Sequence, residues 1–69
     1  MGTVTFEKRN KEVSRIKDTI EYIARTSNTK QQAVNRLSDC LSDLKIGSGG
    51  SHVWCSNNKN ERLFIIRGF

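Results

Sequence analysis

Proline is absent from this 69-residue chain, and there are two cysteines, one histidine and one tryptophan. With no proline to stop a helix, element boundaries rest on capping residues and glycine. Cys40 and Cys55 form no CxxC pair, and His52 alone cannot complete a four-ligand zinc site, so neither a structural metal nor a cofactor is expected. A disulfide between the two is conceivable but disfavoured in a reducing cytoplasm. No apolar run approaches the roughly 20 residues of a membrane span, and no secretory signal opens the chain. A cytoplasmic protein is the expectation. No paired carboxylates, Ser-His-Asp pattern or metal cluster is present, so no enzyme is expected.

What is present suits one small domain. At this length folding buries only about 60 % of the surface of the unfolded chain, so the core is small. Hydrophobic residues make up 35 % of the sequence and charged residues 28 %, within the range of globular proteins. The net charge is +5 and it is uneven. Lys8, Arg9, Lys11, Arg15, Lys17, Arg25, Lys30 and Arg36 face only Glu7, Glu12, Asp18 and Glu21 in the first 36 residues. A basic half favours polyanions such as DNA or RNA, and it equally serves a plain solvated surface.

The pattern predicts an α+β domain in the order β-α-α-β-β. Residues 3–7, TVTFE, alternate as a short strand. Asn10 can cap a helix over 11–26, in which Val13, Ile16, Ile20 and Ile23 form one apolar stripe. Thr29 followed by Gln32 matches a capping box and opens a second helix over 29–45, with Val34, Leu37, Leu41 and Leu44 as its stripe. Residues 47–51, GSGGS, read as a flexible linker and lack the lysine of a P-loop. Residues 52–67 read as a β-hairpin turning at 57–61. Pairing Ser56 with Glu61 puts Val53, Cys55, Phe64 and Ile66 on one face, and Trp54, Leu63 and Ile65 on the other. Two helices cover one face only, which points to a homodimer across the other.

The second helix carries the chemistry of a groove reader. Gln31, Asn35, Ser38 and Ser42 form a polar, uncharged row opposite the apolar stripe. Gln and Asn pair bidentately with adenine and Arg with guanine, each worth roughly 1–3 kcal/mol of discrimination. Lys30, Gln32 and Arg36 flank the start of that row, where the helix terminus favours phosphate. Lys11, Arg15 and Arg25 are candidates for tracking a phosphate backbone, and Lys59 and Arg62 for a contact from the hairpin. Asp39 and Asp43 confine any DNA contact to the first two turns.

Residues 20–46 resemble a helix-turn-helix, and QQAVNR, from Gln31 to Arg36, is similar to the opening of a phage-repressor recognition helix. VNRLSDCLSDLKI followed by NKNERLFII is similar to the winged-helix regulators, where a basic hairpin tip accompanies the recognition helix. The resemblance spans about residues 20–67 and implies a transcription regulator bound to double-stranded DNA. A strand at Thr3–Glu7 before two helices also resembles the ribbon-helix-helix dimers, with Thr3 and Thr5 in the groove.

Two other classes compete. Small basic proteins without proline are common in phages and mobile elements, and many inhibit a host complex; Trp54, Phe64 and Phe69 would then anchor the partner. Gly50-Ser51-His52 resembles the glycine-serine-histidine signature of small messenger-RNA-cleaving toxins, which implies His52 as a general acid or base. That signature requires a neighbouring strand before it, where this sequence reads as linker.

Overall fold

The computed structural model describes residues 2–69. Its elements are β1 (Thr3–Phe6), α1 (Lys11–Arg15), α2 (Lys17–Thr26), α3 (Lys30–Cys40), β2 (Lys45–Gly49), β3 (His52–Ser56) and β4 (Arg62–Arg67). The four strands form one antiparallel sheet in the order β1-β4-β3-β2. α2 packs along β1, and α3 along β2 and β3, so the helices form a layer on one face. The α+β layout of N-terminal strand, helices and C-terminal antiparallel strands is the one the sequence predicts.

Local chemistry explains the helix starts. Asn10 Oδ1 accepts hydrogen bonds from the Glu12 and Val13 amides at 2.9 and 3.2 Å, closing the open end of α1. Thr29 Oγ1 accepts from the Gln32 amide at 3.2 Å, and Gln32 Oε1 accepts from the Asn28 amide at 2.8 Å. This is a capping box displaced by one residue on its return bond.

The helices are shorter than predicted. The helix expected over 11–26 breaks at Ile16, whose φ of −115° and ψ of 26° separate α1 from α2. Ile16 is β-branched, a weak helix former, and packing of its side chain against the core outweighs helical continuity. The stripe survives the break, with Val13, Ile20 and Ile23 all buried. The helix expected to reach Lys45 ends at Cys40. Its last turn carries Asp39 and no cation, which the negative helix terminus disfavours. Leu41 still buries at the C-cap, and Leu44 follows in a turn whose amide donates to the Leu41 carbonyl at 3.2 Å.

The largest departure lies at 47–51. The segment read as a flexible linker is strand β2 followed by a two-residue turn. Lys45 pairs with Ser56, Gly47 with Trp54, and Gly49 with His52. Gly50 and Ser51 close the hairpin, with Gly50 at φ +55°. Glycine at the first central position and a residue of negative φ at the second is the pattern of a type II′ turn. β2 has little strand propensity of its own and is held by its ladder with β3.

The second hairpin is shifted from the expected register. Ser56 lies opposite Arg62, and a bulge at Cys55/Ser56 sets Cys55 against Phe64, Trp54 against Ile65 and Val53 against Ile66. The bulge places Leu63 in the core cluster beside Phe64. The 57–61 turn is organised by Asn57, whose Oδ1 accepts from the Lys59 and Glu61 amides at 2.9 and 3.0 Å. Asn60 takes a φ of 63°, a left-handed conformation that Asn tolerates better than most residues.

The core therefore sits between the helical layer and the inward positions Val53, Cys55, Leu63, Phe64 and Ile66. On the outward face Ile65 is only 2 % exposed, flanked across the ladder by Thr5 and Trp54. β1 joins the edge of the sheet at β4 and does not lie over its face. Of the apolar residues expected on that face, Ile65 is buried and Leu63 turns into the core, while Trp54 is half-buried. Among the described residues no helix is long and apolar enough to cross a membrane.

Candidate nucleic-acid interface

Of the polar row expected on the second helix, Gln31, Asn35 and Ser38 lie on the outward side of α3, whereas Ser42 falls beyond its end at Cys40. Gln31, Gln32, Asn35 and Ser38 are exposed, while Ala33 and Leu37 are buried beneath them. Gln31 Nε2 donates to Asn35 Oδ1 at 3.1 Å, linking two of the candidate base readers across one turn.

The charged flanks have structural partners. Arg36 is half-buried, and its Nη1 donates to Thr26 Oγ1 at 2.8 Å and to Ser27 Oγ at 3.2 Å. Its guanidinium also lies 5.8 Å from the Tyr22 ring centroid, a cation–π geometry. Arg36 thus clasps the end of α2 and fixes the angle at which α3 leaves the turn. Gln32 is occupied by the cap. Lys30 is half-buried, with Nζ donating to the Gly50 carbonyl at 2.6 Å, so the start of α3 is tied to the β2–β3 turn.

The hairpin tip lies elsewhere. A shallow hollow is lined by Asn10, Lys11 and Glu12 of the first helix region, Asp43 and Leu44 after α3, and Asn57, Asn58, Lys59 and Glu61 of the 57–61 turn. Lys59 therefore neighbours Lys11 at the end of the sheet where α3 finishes. Lys30 sits at the opposite end, where α3 begins. A winged-helix arrangement, with the tip reaching the same groove as the start of the recognition helix, is not brought together here. Arg62 is also engaged, its Nε 2.9 Å from Glu7 Oε1.

Two basic groups remain beside the helices. Lys11 and Arg15 line a hollow with Arg9, Asn10 and Ser14, a lining that contains no acid. Arg25 borders Gly2, Thr3, Val4 and Glu21, next to β1. Lys8 pairs with Glu61, and Lys17 Nζ lies 4.9 Å from the centroid of the Phe6 ring.

The aromatic anchors of the inhibitor reading divide. Phe64 is fully buried, 5.9 Å from Phe6 between ring centroids, and cannot meet a partner. Its burial follows from its inward register opposite Cys55. Phe69 is half-buried against the core. Trp54 is half-buried on the outward face of the sheet, opposite Gly47 and Ile65.

β2 also supplies the strand that the glycine-serine-histidine signature requires before it, so Gly50-Ser51-His52 does lie on a hairpin turn between two strands. No strand residue of the sheet is an Asp or Glu, so none of them offers His52 a carboxylate partner. Among the described residues no group of three or more His, Cys, Asp or Glu is placed to hold a metal ion. Burial pushes the Cys55 thiol up to about 12, which leaves it a packing group and not a nucleophile.

The residues that sequence reasoning missed are Gly47 and Gly49. Both point to the outward face, beneath Trp54 and His52. The available signal was a period of two in each segment: Gly-x-Gly before the turn and His-x-Trp after it.

Comparison with known proteins found no matching family model, no matching curated protein and no matching solved structure.

Proposed function

We propose that this chain is a small DNA-binding regulatory protein that presents α3 to the major groove. One observation carries the reading: a helix capped by Thr29 and clasped to α2 by Arg36 holds an exposed, uncharged row of Gln31, Asn35 and Ser38. A groove reader needs a rigid helix with amide side chains outward, because base discrimination is lost when the donor and acceptor pair wanders. Asp39 limits contact to the first two turns, as expected for an inserted helix. The phosphate contact in this reading comes from Arg25 near the end of α2, while Lys11 and its neighbour Arg15 lie toward the far end of α3. Lys59, at the far end of α3, becomes a peripheral contact and not a wing.

The test is fluorescence anisotropy against random-sequence duplex DNA, followed by selection of a preferred site. Binding should fall steeply between about 50 and 200 mM salt, as counterion release into a more concentrated solution gains less entropy. Asn35→Ala should flatten base preference by roughly 1–3 kcal/mol at one position, whereas Arg25→Ala should weaken all duplexes alike and reduce the salt slope. Absence of duplex binding at the lower salt would overturn the reading.

A further inference from the structure

The outward face of the sheet is not used by α3, and its construction is unusual. β2 offers it two glycines, Gly47 and Gly49, and β3 lays a ring opposite each. A methyl carbon placed on Gly47 would come closest to Trp54 Cζ2 and lie 2.5 and 2.6 Å from its ring neighbours Cε2 and Cη2. Near-equal distances to the two neighbours place that carbon above the ring plane; an approach at the ring edge would hold both neighbours farther off. The indole therefore lies flat across the Gly47 backbone, and its opposite side faces outward. The edge of the His52 imidazole borders the next glycine of the face, with Nε2 and Cε1 at 3.6 and 3.7 Å from a methyl carbon placed on Gly49.

Trp54 and His52 are two residues apart on one strand, so their backbone positions are spaced roughly 7 Å along it, twice the strand rise. Their surroundings are cationic. None of the residues of β1, β2, β3 or β4 is acidic, and Arg67, exposed, pairs with His52 across the ladder. Lys45 is exposed at the far end of β2, and Thr3 and Thr5 are exposed on β1. Glu7, just past β1, is neutralised by Arg62. The occupant that matches is a planar, electron-rich group repeated along a polyanion. An apolar protein surface would gain little from Arg67 and Lys45, and an acidic one little from the rings.

We propose that this face binds single-stranded nucleic acid, stacking successive unpaired bases on His52 and Trp54 with Arg67 and Lys45 on the phosphates. Base stacking on aromatic side chains is tolerant of sequence, and the basic rim supplies the salt-dependent part of the affinity. The proposal rests on a different surface from α3 and stands whether or not α3 reads duplex DNA.

Trp54 is the sole tryptophan, so its emission reports directly on its own face. The experiment titrates the full chain with oligo(rU) and oligo(dT) of about a dozen nucleotides, at low salt, reading Trp emission and anisotropy together. Quenching that saturates with the anisotropy change is expected. Trp54→Ala should weaken binding about 5- to 100-fold, Trp54→Phe should recover most of it, and Arg67→Gln should weaken binding and lower the salt slope. Asn35→Ala should leave single-strand binding unchanged, which separates this face from the α3 surface. Preference for oligo(rU) assigns the face to RNA, and equal binding assigns it to any unpaired strand. Binding of neither oligonucleotide, or equal binding by wild type, Trp54→Phe and Trp54→Ala, would overturn the proposal.

Discussion

The two faces of the sheet are made from the same strands by opposite means. The inward face is filled: Val53, Cys55, Leu63, Phe64 and Ile66 interlock with the helices and leave little or no exposed surface. The outward face is organised by omission, since Gly47 on β2 leaves room for the Trp54 ring to lie flat and Gly49 leaves space beside His52. Removing volume damages the first face, and adding volume damages the second. A residue type that reads as weakness in a strand, glycine, is here the complement of a neighbour that needs floor space.

The sharpest way to break the contrast is to empty the filled side. Phe64→Ala should cost about 3–5 kcal/mol in urea unfolding, since a fully buried ring leaves a cavity that the small core cannot close. Next comes filling the open side. Gly47→Ala should destabilise by about 1–3 kcal/mol through overpacking and shift the emission of Trp54 as the indole lifts. In a Trp54→Ala background the same substitution should cost little, and the double-mutant cycle isolates the ring–glycine contact. Equal cost in both backgrounds would mean that the ring does not occupy that space.

Smaller effects sharpen the comparison away from the sheet. Thr29→Ala should lose about 1 kcal/mol, the usual value of an N-cap, measured by thermal unfolding. The smallest is a pH effect. The Glu61 carboxyl is held below its ordinary value of 4.5 by a hydrogen bond from Lys8 first and from Asn57 second. A folded-state value below the unfolded one means that the contribution is complete above the ordinary carboxylate range. It is lost as pH falls through the lowered value. Lys8→Ala should therefore diminish this acid limb of the stability profile and leave neutral-pH stability little changed, because the pair is exposed.

Much of the fold was legible in the sequence. The stripe from Val13 to Ile23, the caps at Asn10 and Thr29, and the inward set of the second hairpin apart from Leu63 all follow from local periodicity and side-chain chemistry. β2 was not legible as a strand because GSGGS has almost no propensity of its own; its conformation is imposed by β3 across a ladder. The register of β3 and β4 escaped for a related reason, since a bulge inserts one residue that alternation cannot count. The candidate surface was legible in part. Gln31 and Asn35 do stand outward, as a helical wheel requires. The sequence places Arg36 at the flank of the polar row because a wheel shows only its own helix, whereas its partners, Thr26 and Ser27, sit on the far side of the turn.

The two thiols differ as much as the two faces do, and the difference gives the chain an internal clock. Cys40 is exposed and Cys55 is buried. A thiol reagent in solution will label the first at once and the second only when the β3–β4 ladder parts. The slow phase of labelling thus counts openings of the domain under native conditions, without denaturant. Followed with and without an oligonucleotide, the same phase would give the free energy by which a ligand holds the domain shut.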